Sequence, residues 1–400
     1  MRIAGPWVAV RRVAVRVLLV VVGLACSGLP GRAEVPENMT PVLLKVEDWP
    51  VPFMGSDGRV HLVYELWMTN FSSEDVTVEK VEVLEGAGDV IESLDGAAIA
   101  GRLQLGGTRE SAGRLAPGTQ ALLFLHVTLE AGELSPLRLS HRVRIHANAA
   151  PPDQQEITES GGNVTVNRRA VASIGPPLSG SGYISADSCC DASRHTRAAL
   201  PINGRVWIAQ RYAVDWEQLD AQGRIFNGPP EKLESYTIFG KPVLAVADGV
   251  VVSVSDGLPE QTPGKYPTNI SLDDADGNSV VLDLGELRYA MYAHLQPGSI
   301  KVHRGDRVKV GQAIGLVGNT GNSVAPHLHF QVMDRPSSLA SNGLPYEIKE
   351  FHVTGRTTGT KEFDEAEAKG MPVAVMPVST AREVRKALPL DQLIISFAAR

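Results

Sequence analysis

Three of the chain's ten histidines, His294, His327 and His329, fall within thirty-six residues. Two of them belong to the run Pro326-His327-Leu328-His329-Phe330-Gln331-Val332, which alternates strictly. On a strand, successive side chains point to opposite faces. His327, His329 and Gln331 then share one face, while Leu328, Phe330 and Val332 turn to the core. On a helix the two imidazoles would diverge by about 200°. As strand neighbours they can address one small site. His294 ends another strand candidate, Tyr289–Leu295, and a third, Val206–Trp216, carries Asp215 among bulky apolar residues. A carboxylate in such company needs a partner, and a metal ion is one candidate. Two imidazole nitrogens and a carboxylate oxygen around an open water position form the ligand set of a hydrolytic zinc site. Alone, a His-x-His pair more often decorates a sheet surface; with an upstream His and Asp it carries more weight.

The elements that must position these residues read as strand and turn. From Tyr183 to about His352, strand candidates run Val243–Ser255, Val280–Leu284, Tyr289–Leu295, Val308–Val317 and His327–Met333, punctuated by glycines from Gly240 to Gly321. Glu362–Lys369 and Thr380–Ala387 read as helical, and Leu393–Phe397 as a closing strand. Between Pro41 and Ala147 the chain alternates again. Leu137, Leu139, His141, Val143 and Ile145 share a face, Val76 with Val78 and Val81 with Val83 behave alike, and Ala121–Leu129 forms another run. Short strands separated by turn clusters predict an immunoglobulin-like β-sandwich. His141, in line with aliphatic residues, reads as a core histidine. The breakers between Ala150 and Gly182 predict a linker. The expected layout is a signal segment (1–33), a positioning or regulatory sandwich (34–150), a linker (151–182), a catalytic β-domain (183–352) and a C-terminal extension (353–400). The fold class is all-β.

Arg2, Arg11, Arg12 and Arg16 precede the apolar run Val17–Ala25, and no acid appears before Glu34. This reads as a cleaved secretory signal ending at Gly31-Arg32-Ala33, with periplasmic or secreted destinations both open. Lipidation at Cys26 is the lesser alternative. The run is too short for a membrane anchor, which needs about 20 residues, and no later segment of the mature chain is long and apolar enough to span. Removing residues 1–33 takes five arginines and no acids, leaving 33 basic against 45 acidic residues, a formal charge of −12. So acidic a chain lacks the basic stripe that nucleic acid requires. Only Cys189 and Cys190 remain in the mature chain, and as neighbours they cannot staple distant segments. They could form a vicinal disulfide, supply a soft metal ligand, or be free thiols or a crossing between chains.

The run Tyr292-Ala293-His294-Leu295, then Gly305-Asp306, Val308, Gly311 and Gly315, then Gly318-Asn319-Thr320-Gly321 and His327-Leu328-His329-Phe330, resembles the lysostaphin-type (LytM-like) zinc endopeptidases. Gly240-Lys241-Pro242-Val243 with Ala245, Ala247, Asp248, Gly249 and Val250 adds to the likeness, which covers about residues 205–335. The resemblance implies a compact antiparallel β-domain with its site in a groove, and cleavage of peptide bridges or stems of peptidoglycan. It implies His329 and Asp215 as ligands of Zn2+, and His327 and His294 as the catalytic histidines.

One position departs from the pattern. The family places a zinc-binding histidine four residues before the aspartate, where this chain has Arg211. A guanidinium has no lone pair to donate. Three readings follow. His195 swings in as third ligand; or one of Cys189, Cys190 and Asp191 does; or the site is metal-free, and a silent wall-binding protein activates a partner hydrolase, with Arg211 as a groove residue meeting a partner or a stem carboxylate. The leading expectation is an exported zinc endopeptidase acting on peptidoglycan peptides through Asp215, His329 and His195, assisted by His327 and His294.

Overall fold

Strand dominates the chain. The computed structural model describes residues 38–86, 88–108, 113–191 and 194–398. Helix among these residues is confined to Gly96–Ala100, Thr360–Lys369 and a single 3-10 turn at Leu233–Ser235. The expected signal segment and Cys26 lie outside the described residues. No described helix is long and apolar enough to cross a membrane.

Two antiparallel five-stranded sheets occupy the N-terminal third. One orders Val42–Lys45, Val60–Asn70, Gln120–Leu129 and Leu103–Leu105, with Phe53–Met54 beside Val60–Asn70. The other orders Glu156–Thr165, Arg138–Ala147, Val76–Glu85 and Asp89–Asp95, with Arg114–Leu115 beside Val76–Glu85. Leu62, Tyr64, Leu66 and Met68 meet Val78, Val81, Val143 and Ile145 in one core. The change of phase between Val78 and Val81 is a bulge, where the register with Arg138–Ala147 shifts between Val78 and Lys80. The Val60–Asn70 strand is buried on its second face too. Val63 joins the core of the C-terminal half, and Leu122 and Phe124 of the neighbouring strand pack on Ile208.

One large sheet organises that half. Its order is Ala172–Ile174, Tyr346–Thr357, Leu393–Phe397, Gly180–Ala186, Val214–Gln218, Leu328–Met333, Tyr289–Leu295, Asn278–Asp283, Gly249–Ser255 and Arg307–Val308, with Val375–Ala387 also paired to Tyr346–Thr357. Trp216, Tyr292, Phe330 and Tyr346 fill its centre.

Several expectations change. Glu156–Thr165, placed in the linker, is the outer strand of a sheet, and its Gly161-Gly162 pair is accommodated as a bulge. Thr380–Ala387 is strand, not helix. Its helix-like composition yields to pairing with Glu350, Phe351 and His352. Val243–Ser255 and Val308–Val317 each break into two strands. Leu137 precedes its strand and is 65% exposed, while Leu139, His141, Val143 and Ile145 keep the buried face. Leu393–Phe397 is the expected closing strand, and it sits inside the sheet between Tyr346–Thr357 and Gly180–Ala186.

Candidate metal centre

The strand Leu328–Met333 runs antiparallel to Val214–Gln218 on one side and to Tyr289–Leu295 on the other. Its register sets Asp215 directly opposite His329, with Ala293 opposite His329 across the other edge. Directly opposed residues bring Cβ atoms to about 5 Å, and His329 Nδ1 lies 2.9 Å from Asp215 Oδ1. His327, just ahead of the strand, brings Nε2 to 3.6 Å from the same oxygen. His294 takes a left-handed φ of 61°, a conformation uncommon for a residue with a Cβ. That bend ends with its ring 4.6 Å from His327 and 5.9 Å from His329, centroid to centroid.

His195 arrives from a turn, not from the sheet. Its Nε2 lies 3.3 Å from Asp215 Oδ2, and its ring stands edge-on to His329 at 4.9 Å. All five residues expected to form the site, His195, Asp215, His294, His327 and His329, are therefore brought together. His195, Asp215 and His329 offer ligand atoms that lie within 4.8 Å of one another.

Hydrogen bonds on the outer side of each ring fix which nitrogen faces inward. His195 Nδ1–H donates to Asp187 O at 2.9 Å, His294 Nδ1–H to Thr320 O at 2.7 Å, and His327 Nδ1–H to Ala325 O at 2.8 Å. His329 is turned the other way, with Nε2–H donating to Gln331 Oε1 at 2.9 Å. A carbonyl oxygen only accepts, so each outer nitrogen carries the proton, and a neutral ring presents a lone pair inward. Lone pairs gathered around one carboxylate are the arrangement that a cation relieves. An outer N–H tied to a carbonyl is the usual support of a metal-bound imidazole. Two imidazole nitrogens and one carboxylate oxygen within this reach are a donor set that fits Zn2+.

Without a cation the cluster holds a proton. Burial works against a charged His195, but Asp215 and Asp187 outweigh it and bring the imidazole up to about 9. Burial would raise Asp215, but the charges of His195 and His327 and hydrogen bonds from His195 and His329 hold it well below the usual carboxylate range. His294 goes the other way. Burial first, and then His327 and His329, keep it well below the ordinary histidine value, so it stays neutral.

Arg211 is not in this cluster. It is buried, with Nε 2.9 Å from Glu65 Oε1 and Nη2 2.7 Å from Glu65 Oε2, a two-pronged pair to the Val60–Asn70 strand. Tyr212 next to it donates to Val63 O at 3.2 Å. A groove role facing a partner or a stem carboxylate is thereby corrected, because the guanidinium already has its carboxylate. The second ligand reading is also corrected. Cys189 and Cys190 form a disulfide, and Asp191 is taken by Arg102 at 2.8 Å and His126 at 3.0 Å.

Sequence reasoning missed three supports. Gln331 was visible as the third polar residue on the His327–His329 face, but its hold on the outer nitrogen of His329 was not. The Asp187 carbonyl that aims His195 is backbone, and no side-chain pattern marks it. Glu65 lies 146 residues from Arg211 and carries no local signal.

Residues 235–341 match Peptidase family M23. His294, His327 and His329 lie inside that stretch, while His195 and Asp215 precede it. The glycyl-glycine endopeptidase ALE-1 of Staphylococcus capitis is 38% identical over 109 residues, 27% of this chain and 26% of that protein. The peptidoglycan DD-endopeptidase ShyA of Vibrio cholerae is 29% identical over 185 residues, 43% of this chain and 40% of that protein. The chain thus spans well under two thirds of these relatives. Among solved structures, the catalytic domain of lysostaphin from Staphylococcus simulans is 26% identical, with a TM-score of 0.22 over 41% of this chain and 86% of that one. Over residues 235–341 the chain is thus similar to the lysostaphin-type, LytM-like peptidases.

Proposed function

We propose that the protein is an exported zinc endopeptidase that hydrolyses peptide cross-links or stems of peptidoglycan. The observation that carries this reading is the convergence of His195, Asp215 and His329, each imidazole braced from behind, in a cluster that also holds His294 and His327. Similarity to relatives named as peptidoglycan and glycyl-glycine endopeptidases supports the substrate class. The signal-like N-terminus supports export to the periplasm or beyond.

Asp215, His329 and His195 would hold the metal. Zn2+ bound there lowers the pKa of water toward about 7 and polarises a carbonyl. The chain's own residues do the rest. His327 Nε2 faces the cluster with its lone pair free and its outer nitrogen fixed, so it can take a proton from an attacking water. The proton that His327 takes can pass to the departing amine, with neutral His294, its ring 4.6 Å from that of His327, helping to orient the exchange. Gln331 and the Asp187 and Thr320 carbonyls keep the rings from turning. The sandwich would restrain the segment bearing Asp215 through Glu65 and Val63.

The test is digestion of purified peptidoglycan sacculi, followed by new amino groups and mass spectrometry of the products. Wild type should release peptides cut at one bond type, and His327→Ala should release none while keeping its fold. Sacculi left intact by zinc-loaded wild type, but degraded once a partner hydrolase is added, would replace this reading with that of a silent activator.

A further inference from the structure

A second cluster, away from Asp215, repeats the logic of the first. His61 and His126 sit on adjacent antiparallel strands of the sandwich, in the register His61↔Thr128 and Val63↔His126. Their rings stack at 5.1 Å, with His61 Nδ1 only 2.8 Å from His126 Nε2. Each outer nitrogen is held by a carboxylate. His61 Nε2 is 3.0 Å from Asp57 Oδ1, and His126 Nδ1 is 3.0 Å from Asp191 Oδ2. A carboxylate behind an imidazole is the support that metal-ligating histidines carry.

If both outer nitrogens donate to those carboxylates, the two inner nitrogens meet lone pair to lone pair. A shared proton relieves that contact in the disulfide form, and a cation that finds a third ligand can take its place. Cys190 Sγ belongs to the same group, its ligand atom lying within 4.8 Å of those of His61 and His126. That sulfur is now bonded to Cys189. A disulfide sulfur is a poor ligand, whereas a thiolate is a strong one. The cluster and the disulfide both line a cavity of about 830 Å³, which gives a reductant and a cation a way in.

We propose that His61, His126 and Cys190 form a second metal site, specific for a thiophilic divalent cation such as Zn2+, which is completed when a dithiol reduces the Cys189–Cys190 disulfide. In that step the dithiol supplies two electrons and two protons and closes to its own disulfide, and the S–S bond opens to two thiols. The cation then displaces the Cys190 thiol proton to solvent. Two Zn–N bonds of roughly 2.0 Å at the tetrahedral angle put the nitrogens about 3.3 Å apart, so the nitrogens must part by about half an ångström and the rings tilt toward a common point.

Cobalt(II) separates this site from the first, because the cluster around Asp215 contains no cysteine, so a thiolate-to-cobalt charge-transfer band can come only from Cys189 or Cys190. The probe is the full chain in a Cys26→Ser background, loaded with Co2+ after reduction with a dithiol and anaerobic desalting. The reduced protein should gain one further equivalent of cobalt together with that band, and the disulfide form should show neither. Cys189→Ser should show the band without reductant, Cys190→Ser should lose it, and His61→Ala should weaken cobalt binding at least about tenfold. No band in either the reduced chain or Cys189→Ser would overturn the proposal. So would an extra equivalent without the band, or a band that survives loss of both His61 and His126. The reduced wild-type arm needs no substitution at the site, so a misfolded variant does not blunt the test.

Discussion

His141 in the sandwich and His329 in the C-terminal half are both buried, and both sit on strands with aliphatic neighbours, yet they are held differently. His141 spends both ring nitrogens on the protein's neutral groups, Nε2 on the Tyr64 hydroxyl at 2.9 Å and Nδ1–H on Gly162 O at 3.1 Å. The ring is complete and has nothing left to bind. His329 gives its outer nitrogen to the Gln331 amide oxygen and turns Nδ1 to Asp215 Oδ1 at 2.9 Å, a carboxylate that His195 and His327 also approach. Burial alone therefore does not separate a structural histidine from a chemical one. What separates them is whether the second nitrogen meets a neutral partner of its own, as in His141, or a carboxylate shared with other imidazoles, as in His329.

Substitutions in the two regions should accordingly fail in different ways. The largest effect is expected in the cluster around Asp215. His327→Ala should lower turnover by about 10²–10⁴-fold while zinc content stays at the wild-type level. His329→Ala should lose the metal itself. Parallel kinetics and elemental analysis check both, and metal loss from both variants or from neither breaks the division of roles.

Next in size is the tie between the two halves. Glu65→Ala strands the Arg211 guanidinium in a buried position, which costs about 3–5 kcal/mol. Denaturant unfolding should show that loss, and a Glu65→Ala chain of wild-type stability would mean that the pair does not join the halves. The same change should loosen the segment four residues ahead of Asp215 and weaken zinc retention.

His141 supplies the third prediction. Burial lowers its imidazole to about 4 from an ordinary 6.5. A depressed folded value means the unfolded chain binds the proton first. The stability it contributes is whole above pH 6.5 and drains as pH falls toward 4, on the order of 3 kcal/mol in all. His141→Gln should flatten that limb of the stability–pH curve, and an unchanged slope would show that the acid sensitivity comes from elsewhere. The smallest effect is expected at Gln331. Gln331→Leu frees the outer nitrogen of His329 and should weaken zinc binding by about 10–100-fold without abolishing it. Metal-competition titration against a chelator would resolve a change of that size.

The site was legible in the sequence where chemistry and period coincide. His327-Leu328-His329 fixes a strand and a face at once, and a single carboxylate among apolar residues marks Asp215. His195 was legible only as the nearest upstream histidine able to join the expected ligands, and the turn at Asp187 that aims it has no pattern of its own. The pair of Glu65 and Arg211 was invisible, since it joins strands 146 residues apart through tertiary packing alone. Local composition also misled. The Gly-rich Glu156–Thr165 reads as linker until a bulge lets it pair, and Thr380–Ala387 reads as helix until Tyr346–Thr357 gives it a partner. In each case a long-range contact overrode a local preference.

The most direct test is the zinc content of the purified chain in its disulfide form, dialysed without chelator, beside that of His195→Ala. This account predicts about one zinc per wild-type chain and essentially none in the variant. A wild type that stays empty even after zinc is added back, or a His195→Ala chain that keeps its metal in full, would contradict it.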